Sequence, residues 1–340
     1  MSGSSNSAIA ALLPALSLSP ALYPQQLNLQ KRQVLLIRMT EMDYRSASFL
    51  DDRILTQRTV GAWAELNTIE TALADKHDGK PLHFILHAGH VGSTLLSRLI
   101  DETNLVLPLR EPQPLRTFAE LFDNDHANVD LETCLKLWSR GFVATRAVIL
   151  KATSSVARLG QHLLNARPQS HAVYLNLAAE PYLATLLAGE NAAGDLNGHA
   201  PERMNRLEKH LGERPEVGSL GELAAMSWLT ERLTQADLAA AFGARVLSLD
   251  FEELLSHPAA ILKRVTAHFG LEPPPSYFEN IGKSAVFHRY SKAMENEYSP
   301  EMRTAILREA RTRHASEIRK GLDWLNALAA QHHNVARALA

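Results

Sequence analysis

Short apolar runs alternate along this chain with longer segments in which apolar residues recur every three or four positions. The runs at residues 82–87 (LHFILH), 147–150 (AVIL), 172–177 (AVYLNL) and 245–249 (RVLSL) have the length and continuity of strands buried on both faces. Residues 33–39 (QVLLIRM) read as a further strand of the same kind. From Ser93 the positions Leu95, Leu96, Leu99 and Ile100 share one helical face, and Ser97, Arg98 and Asp101 share the other. Helical spacing also predicts helices at 59–74, 154–165, 180–189, 220–241 and 259–269, and from residue 300 to the end. Residues 75–81 (DKHDGKP) read as a turn-rich connector. Residues 190–221, rich in Gly, Asn and charge, read as an insertion covering one edge of the sheet.

Strand–helix alternation of this kind predicts an α/β fold: a parallel sheet of about five strands flanked by helices, with residues 82–87 central. Residues 1–80 form an N-terminal extension of arm, strand and helix in this reading. Residues 81–340 form the main domain, which ends in a helical C-terminus.

Composition narrows the function classes. Of 340 residues, 46% are hydrophobic and 21% charged, as in ordinary soluble globular proteins. The formal charge of −2 supplies no general attraction to nucleic acid or to an acidic membrane, so neither is expected as a partner and any anion site must be local. The single cysteine, Cys134, excludes an intrachain disulfide and any multi-cysteine metal site, and fits a reducing cytoplasm. The N-terminal apolar stretch has no basic residue before it and is interrupted by Pro14, so no signal peptide is expected.

Candidate chemistry begins at residues 87–100, HAGHVGSTLLSRLI, where the 82–87 strand runs through a glycine-containing turn into a helix. In that arrangement the free N–H groups of the first helical turn converge on an anion, and the helix dipole adds positive potential. Gly92 permits close backbone approach, and Ser93 and Thr94 offer hydroxyls; the alternative is a turn in which these residues only cap the helix. The turn makes the sheet a P-loop-type one, but Ser93 stands where G-x-x-x-x-G-K-[ST] requires the lysine that reaches the β- and γ-phosphates.

Residues 89–101, GHVGSTLLSRLID, resemble the phosphosulfate loop P-R-S-G-[ST]-T-L of sulfotransferases. Gly89 falls on the proline, His90 on the arginine, Val91 on the serine, and Gly92, Ser93, Thr94 and Leu95 on the remainder. The resemblance continues to about residue 271. Within residues 105–116 (LVLPLREPQPLR), Glu111 matches a glutamate base of protein-tyrosine and related sulfotransferases. In VILKAT, Lys151 matches a lysine that contacts the bridging oxygen of the donor. Residues 246–259 are similar to a later strand and its following segment.

The resemblance implies an enzyme that moves sulfonate from 3′-phosphoadenosine-5′-phosphosulfate (PAPS) to a hydroxyl or amine of a small molecule or peptide, without a metal; the cysteine usage adds the expectation of a cytoplasmic location. It implies catalytic roles for Glu111, Lys151 and His90 and donor contacts from residues 89–95. The family's arginine for the 3′-phosphate has no counterpart near residues 176–185, and Arg289 and Lys292 in FHRYSKA are the candidate substitutes. Residues 319–324 (RKGLDW) share an RKG with cytosolic members and read as a basic helix face. Two other readings stand beside this one: an ATP-dependent kinase with an atypical loop, and a catalytically silent nucleotide-binding or scaffold protein.

Overall fold

The computed structural model describes residues 16–74, 79–122 and 128–339; residues 1–15 of the expected arm and 75–78 of the expected connector lie outside the described residues. The rest of the arm, expected to be flexible or loosely docked, is packed down, with Leu16, Leu22 and Tyr23 buried. The chain opens with β1 (Leu22–Asn28), β2 (Gln33–Arg38), the short helix α1 (Glu41–Ser46), β3 (Gly61–Glu65) and α2 (Leu66–Ala74). The strands β1, β2 and β3 pair antiparallel in a sheet of their own. Residues 33–39 therefore do not enter the parallel sheet, and the helix expected from residue 59 starts only at Leu66. In β3 the alternation of buried Ala62 with exposed Trp63 is a strand pattern, and tertiary pairing overrides the helix-forming residues around it.

The remaining elements run β4 (Leu82–His87), α3 (Ser93–Asp101), β5 (Val106–Arg110), α4 (Gln113–Leu121), α5 (Asn128–Trp138), β6 (Ala147–Lys151), α6 (Gly160–Ala166), β7 (Ala172–Asn176), α7 (Ala179–Leu187), α8 (Ala192–Leu211), α9 (Leu220–Phe242), β8 (Val246–Asp250), α10 (Phe251–Ser256), α11 (Pro258–His268) and α12 (Pro275–Asn280). A hairpin of β9 (Arg289–Tyr290) and β10 (Ala293–Glu297) precedes α13 (Pro300–Arg313), α14 (Ala315–Gln331) and α15 (His333–Leu339). Five strands form a parallel sheet in the order β5-β6-β4-β7-β8, with β4 at the centre as its apolar run predicts. The fifth strand is β5.

Both faces of the sheet are covered. Ile85 packs into the core under α3, α7 and α9, whereas Leu82, Phe84 and Leu86 pack into a second core shared with β1, β2 and β3. The N-terminal residues thus share a core with the parallel sheet. Two buried arginines also tie them down. Arg140 donates to the carbonyls of Leu16, Ser19 and Leu22, and Arg110 donates to those of Arg45 and Ala47 while pairing with Asp101 at 2.9 Å.

Two further expectations change. Residues 154–165 are a 3₁₀ turn, Ser154–Leu159, followed by α6, rather than one amphipathic helix. The Gly- and Asn-rich region 190–221 is mostly the 20-residue helix α8, which packs on α9; apolar contacts from Leu196, Met204 and Leu207 offset its glycines and the internal Pro201. In RKGLDW, Arg319 and Lys320 are exposed, but Gly321 is a packing residue. A Cβ there would lie 2.5 Å from the Gly221 carbonyl oxygen, so α9 and α14 meet backbone to backbone.

Candidate functional site

The C-terminal ends of β4, β5 and β6 bring the expected site residues to one edge of the sheet. The turn after β4 is tightly wound: Gly89, His90 and Gly92 have φ of 91°, 55° and 71°. For a histidine this left-handed conformation costs roughly 1–2 kcal/mol, and such strain is held only where surrounding contacts enforce it. His87 supplies one of those contacts. Its Nδ1 accepts the Gly89 N–H at 3.0 Å, and its Nε2 lies 2.9 Å from the Ala152 carbonyl, which can only accept. The ring is therefore neutral, with its proton on Nε2, and it braces the turn against the strand end that carries Lys151.

Beyond the turn, the first N–H groups of α3 have no intrahelical partner. Thr94 Oγ1 is buried there and has no hydrogen-bond partner among the described residues. A buried hydroxyl left in that state costs about 1–3 kcal/mol, which an oxyanion at the helix N-terminus would recover. The Val91 side chain is buried in the core, leaving its backbone to the turn. Gly92 has a second role that the sequence did not announce: a Cβ would fall 2.0 Å from the Phe251 ring.

Glu111 and Lys151 meet. Lys151 lies level with Arg110 on β5 and Ile85 on β4, and its side chain is fully buried. Its Nζ donates to Glu111 Oε1 at 2.5 Å, while the Glu111 N–H donates to the Lys151 carbonyl at 2.7 Å. The other carboxylate oxygen of Glu111 lies 3.5 Å from Arg116, which also reaches Asp51. Glu111, like His90, has a left-handed φ of 55°. Burial lowers the pKa of the Lys151 ammonium and Glu111 opposes that shift.

His90, Gly92, Leu95, Arg289 and Lys292 line one cavity of about 190 Å³. The segment expected as a basic loop is the β9–β10 hairpin, held to α3 by Arg98, which donates to the Ser291 carbonyl at 2.7 Å. Sequence reasoning missed further polar residues of this wall, among them Thr185 on α7, Tyr298, and Arg303 on α13. Arg303 lies over the Phe251 ring and pairs with Glu252 at 2.7 Å. Crowding by protein around an otherwise solvent-facing ring, with Lys292 as the second cause, pushes the His90 imidazole down to about 4. His90 is thus neutral near pH 7.

The buried histidines at the two ends of β4 set an acid limit on the sheet. Burial pushes His83 down to about 4 and His87 well below the ordinary 6.5. Both are neutral when folded and take up protons on unfolding, so stability falls as pH drops from 6.5 toward 4. For His83 alone the loss by pH 5 is roughly 2 kcal/mol. Urea unfolding at pH 7.5 and 5.0 should show it, and His83→Gln should shrink the difference by about the His83 share, leaving that of His87; equal midpoints for the parent protein at both pH values would contradict it.

No family model matches the chain, and no curated protein matches it. Solved structures similar to it include the sulfotransferase domain of a Synechococcus olefin synthase, at 16% identity over 70% of this chain and 89% of that one, with a TM-score of 0.39. A Mycobacterium tuberculosis sulfotransferase matches at 14% identity over 71% and 80%, with a TM-score of 0.45. A mouse sulfotransferase complexed with PAP matches at 12% over 80% and 92%, with a TM-score of 0.40. At these identities and scores the likeness assigns no residue role. No helix among the described residues is long and apolar enough to cross a membrane. No group of His, Cys, Asp and Glu among them could hold a metal ion.

Proposed function

We propose that this chain is a sulfotransferase that moves the sulfonate of PAPS to a hydroxyl or amine. The observation that carries the reading is the Glu111–Lys151 ion pair, which joins a carboxylate and a cation beside a lysine-free phosphate turn. A donor with its 5′-phosphosulfate on the α3 N-terminus would receive the N–H groups of Ser93, Thr94 and Leu95 and the orphaned Thr94 hydroxyl. Its adenosine suits the cavity walled by Leu95, Phe251, Leu255 and Phe287, and a second phosphate suits Arg289, Lys292 and Thr185.

In the transfer, the acceptor oxygen or nitrogen forms a bond to sulfur as the bond from sulfur to the bridging oxygen breaks, and the acceptor proton passes to Glu111. Lys151 then serves twice. It holds the Glu111 carboxylate in place before the donor arrives, and it neutralises charge on the leaving phosphate when drawn to it. The pair must loosen for this, because Lys151 Nζ occupies the Glu111 oxygen that would take the acceptor proton.

Chromatography of PAPS incubated with the protein and a pool of hydroxyl and amine acceptors tests the reading. The expected result is PAP and a sulfonated product, with ATP left intact in a parallel incubation. Conversion of ATP to ADP with PAPS untouched would favour a kinase and end this reading.

A further inference from the structure

A second cavity of about 430 Å³ opens on the other side of the turn, and its chemistry differs from that of the first. Ala88, Arg116, Thr153, Ser154, Ser155 and Arg203 contribute to its lining. It adjoins the proposed reaction centre at two points. Arg116 reaches both Glu111 Oε2 and Thr153 Oγ1 at 3.5 Å, and a Cβ at Gly89 would lie 3.3 Å from Ser154 Oγ. Most charges around it are spent on one another: Glu202 pairs with Arg158 and Arg206, and Glu231 with Arg206. Glu120 stands exposed at the rim. Arg203 differs, being half-buried on α8 with no hydrogen bond or ion pair among the described residues. Its charge acts on His90 in the turn and on His199 in the same wall.

We propose that this cavity receives the acceptor and selects a hydrophilic, polyhydroxylated molecule carrying an oxyanion. The inference rests on the sulfotransferase reading and names its substrate class. Arg203 takes the oxyanion, Arg116 orients the acceptor beside Glu111, and the run Thr153, Ser154 and Ser155 hydrogen-bonds its hydroxyls. A flat apolar acceptor would strip water from these groups without replacing their hydrogen bonds, and sites built to pair polar groups reject such analogues strongly.

Transfer from radiolabelled PAPS to glucuronate, gluconate, glucose and 2-naphthol tests this, with PAP affinity measured on the same samples. Transfer to the two hydroxy acids should exceed transfer to glucose and 2-naphthol by roughly tenfold or more in kcat/KM. Arg203→Gln should raise KM for the acids by about tenfold with little change in kcat, and Arg203→Lys should recover much of that loss. Label on 2-naphthol, label on none of the four, or acid transfer indifferent to Arg203→Gln would each overturn the proposal. If PAP binds in those cases, only the acceptor class has failed. If PAP does not bind, the donor reading has failed as well.

Discussion

Glu111→Gln is expected to lower sulfonate turnover by roughly 10²–10⁴-fold, the usual worth of a positioned general base. PAP affinity should stay nearly unchanged, because Glu111 faces Lys151 and Arg116 and is absent from the wall of the apolar cavity. Gln keeps the size and an acceptor oxygen for Lys151 but leaves the buried ammonium without its counter-charge, so some stability is lost and turnover is read on samples that circular dichroism shows to be folded. Quenched-flow or steady-state measurement of PAP release, alongside titration with PAP, separates the two effects. A folded variant with full turnover would remove Glu111 from the chemistry; one that fails to bind PAP would place Glu111 in the donor site.

Lys151→Ala should do more damage. It leaves the mostly buried Glu111 carboxylate with only Arg116 at 3.5 Å, and it opens a cavity where a fully buried side chain stood. Breaking a buried pair from one side costs roughly 3–5 kcal/mol of stability. Donor affinity and turnover should both fall, because the same cation meets the leaving-group side before and during transfer. The double variant Glu111→Gln/Lys151→Met should regain most of the stability, since no buried charge is stranded, and none of the activity. Urea denaturation of the two single variants and the double variant reads the first statement, and PAP release reads the second. A double variant as unstable as Lys151→Ala would show that the attraction between Glu111 and Lys151 itself holds this edge, and not the avoidance of a stranded charge or an empty volume.

How much was legible depended on whether the signal was local. The parallel strands β4, β6 and β7 announce themselves because a strand buried on both faces is apolar nearly throughout, whereas the edge strand β8 exposes Ser248 and shows only as a short apolar run. β1 carries Pro24 and the polar pair Gln25 and Gln26, so its partner β2 makes it a strand more than its composition does. α8 hides behind Gly194, Gly198 and Pro201, whose cost is visible in sequence while the α9 surface that offsets it is not. The turn was readable from its own glycines and hydroxyls. His87 as a brace was not, because the Ala152 carbonyl arrives from another strand. Arg203 was equally hidden, lying in a stretch read as an edge insertion. The hydroxyl run Thr153, Ser154 and Ser155, directly after Lys151, was the available hint of a polar wall.

The central claim is that the turn from Ala88 to Leu95 and the Arg289–Lys292 hairpin together hold a 3′-phosphorylated adenosine nucleotide. Calorimetric titration of the same protein with PAP and with Mg-ATP tests it most directly. Tight, saturable PAP binding is expected, weakened about tenfold by Lys292→Ala, because a charge-assisted contact to phosphate is worth about 1.5–3 kcal/mol. Mg-ATP should bind more weakly, for want of the loop lysine that would meet its β- and γ-phosphates. Preference for Mg-ATP over PAP, or no heat with either nucleotide, would contradict the account.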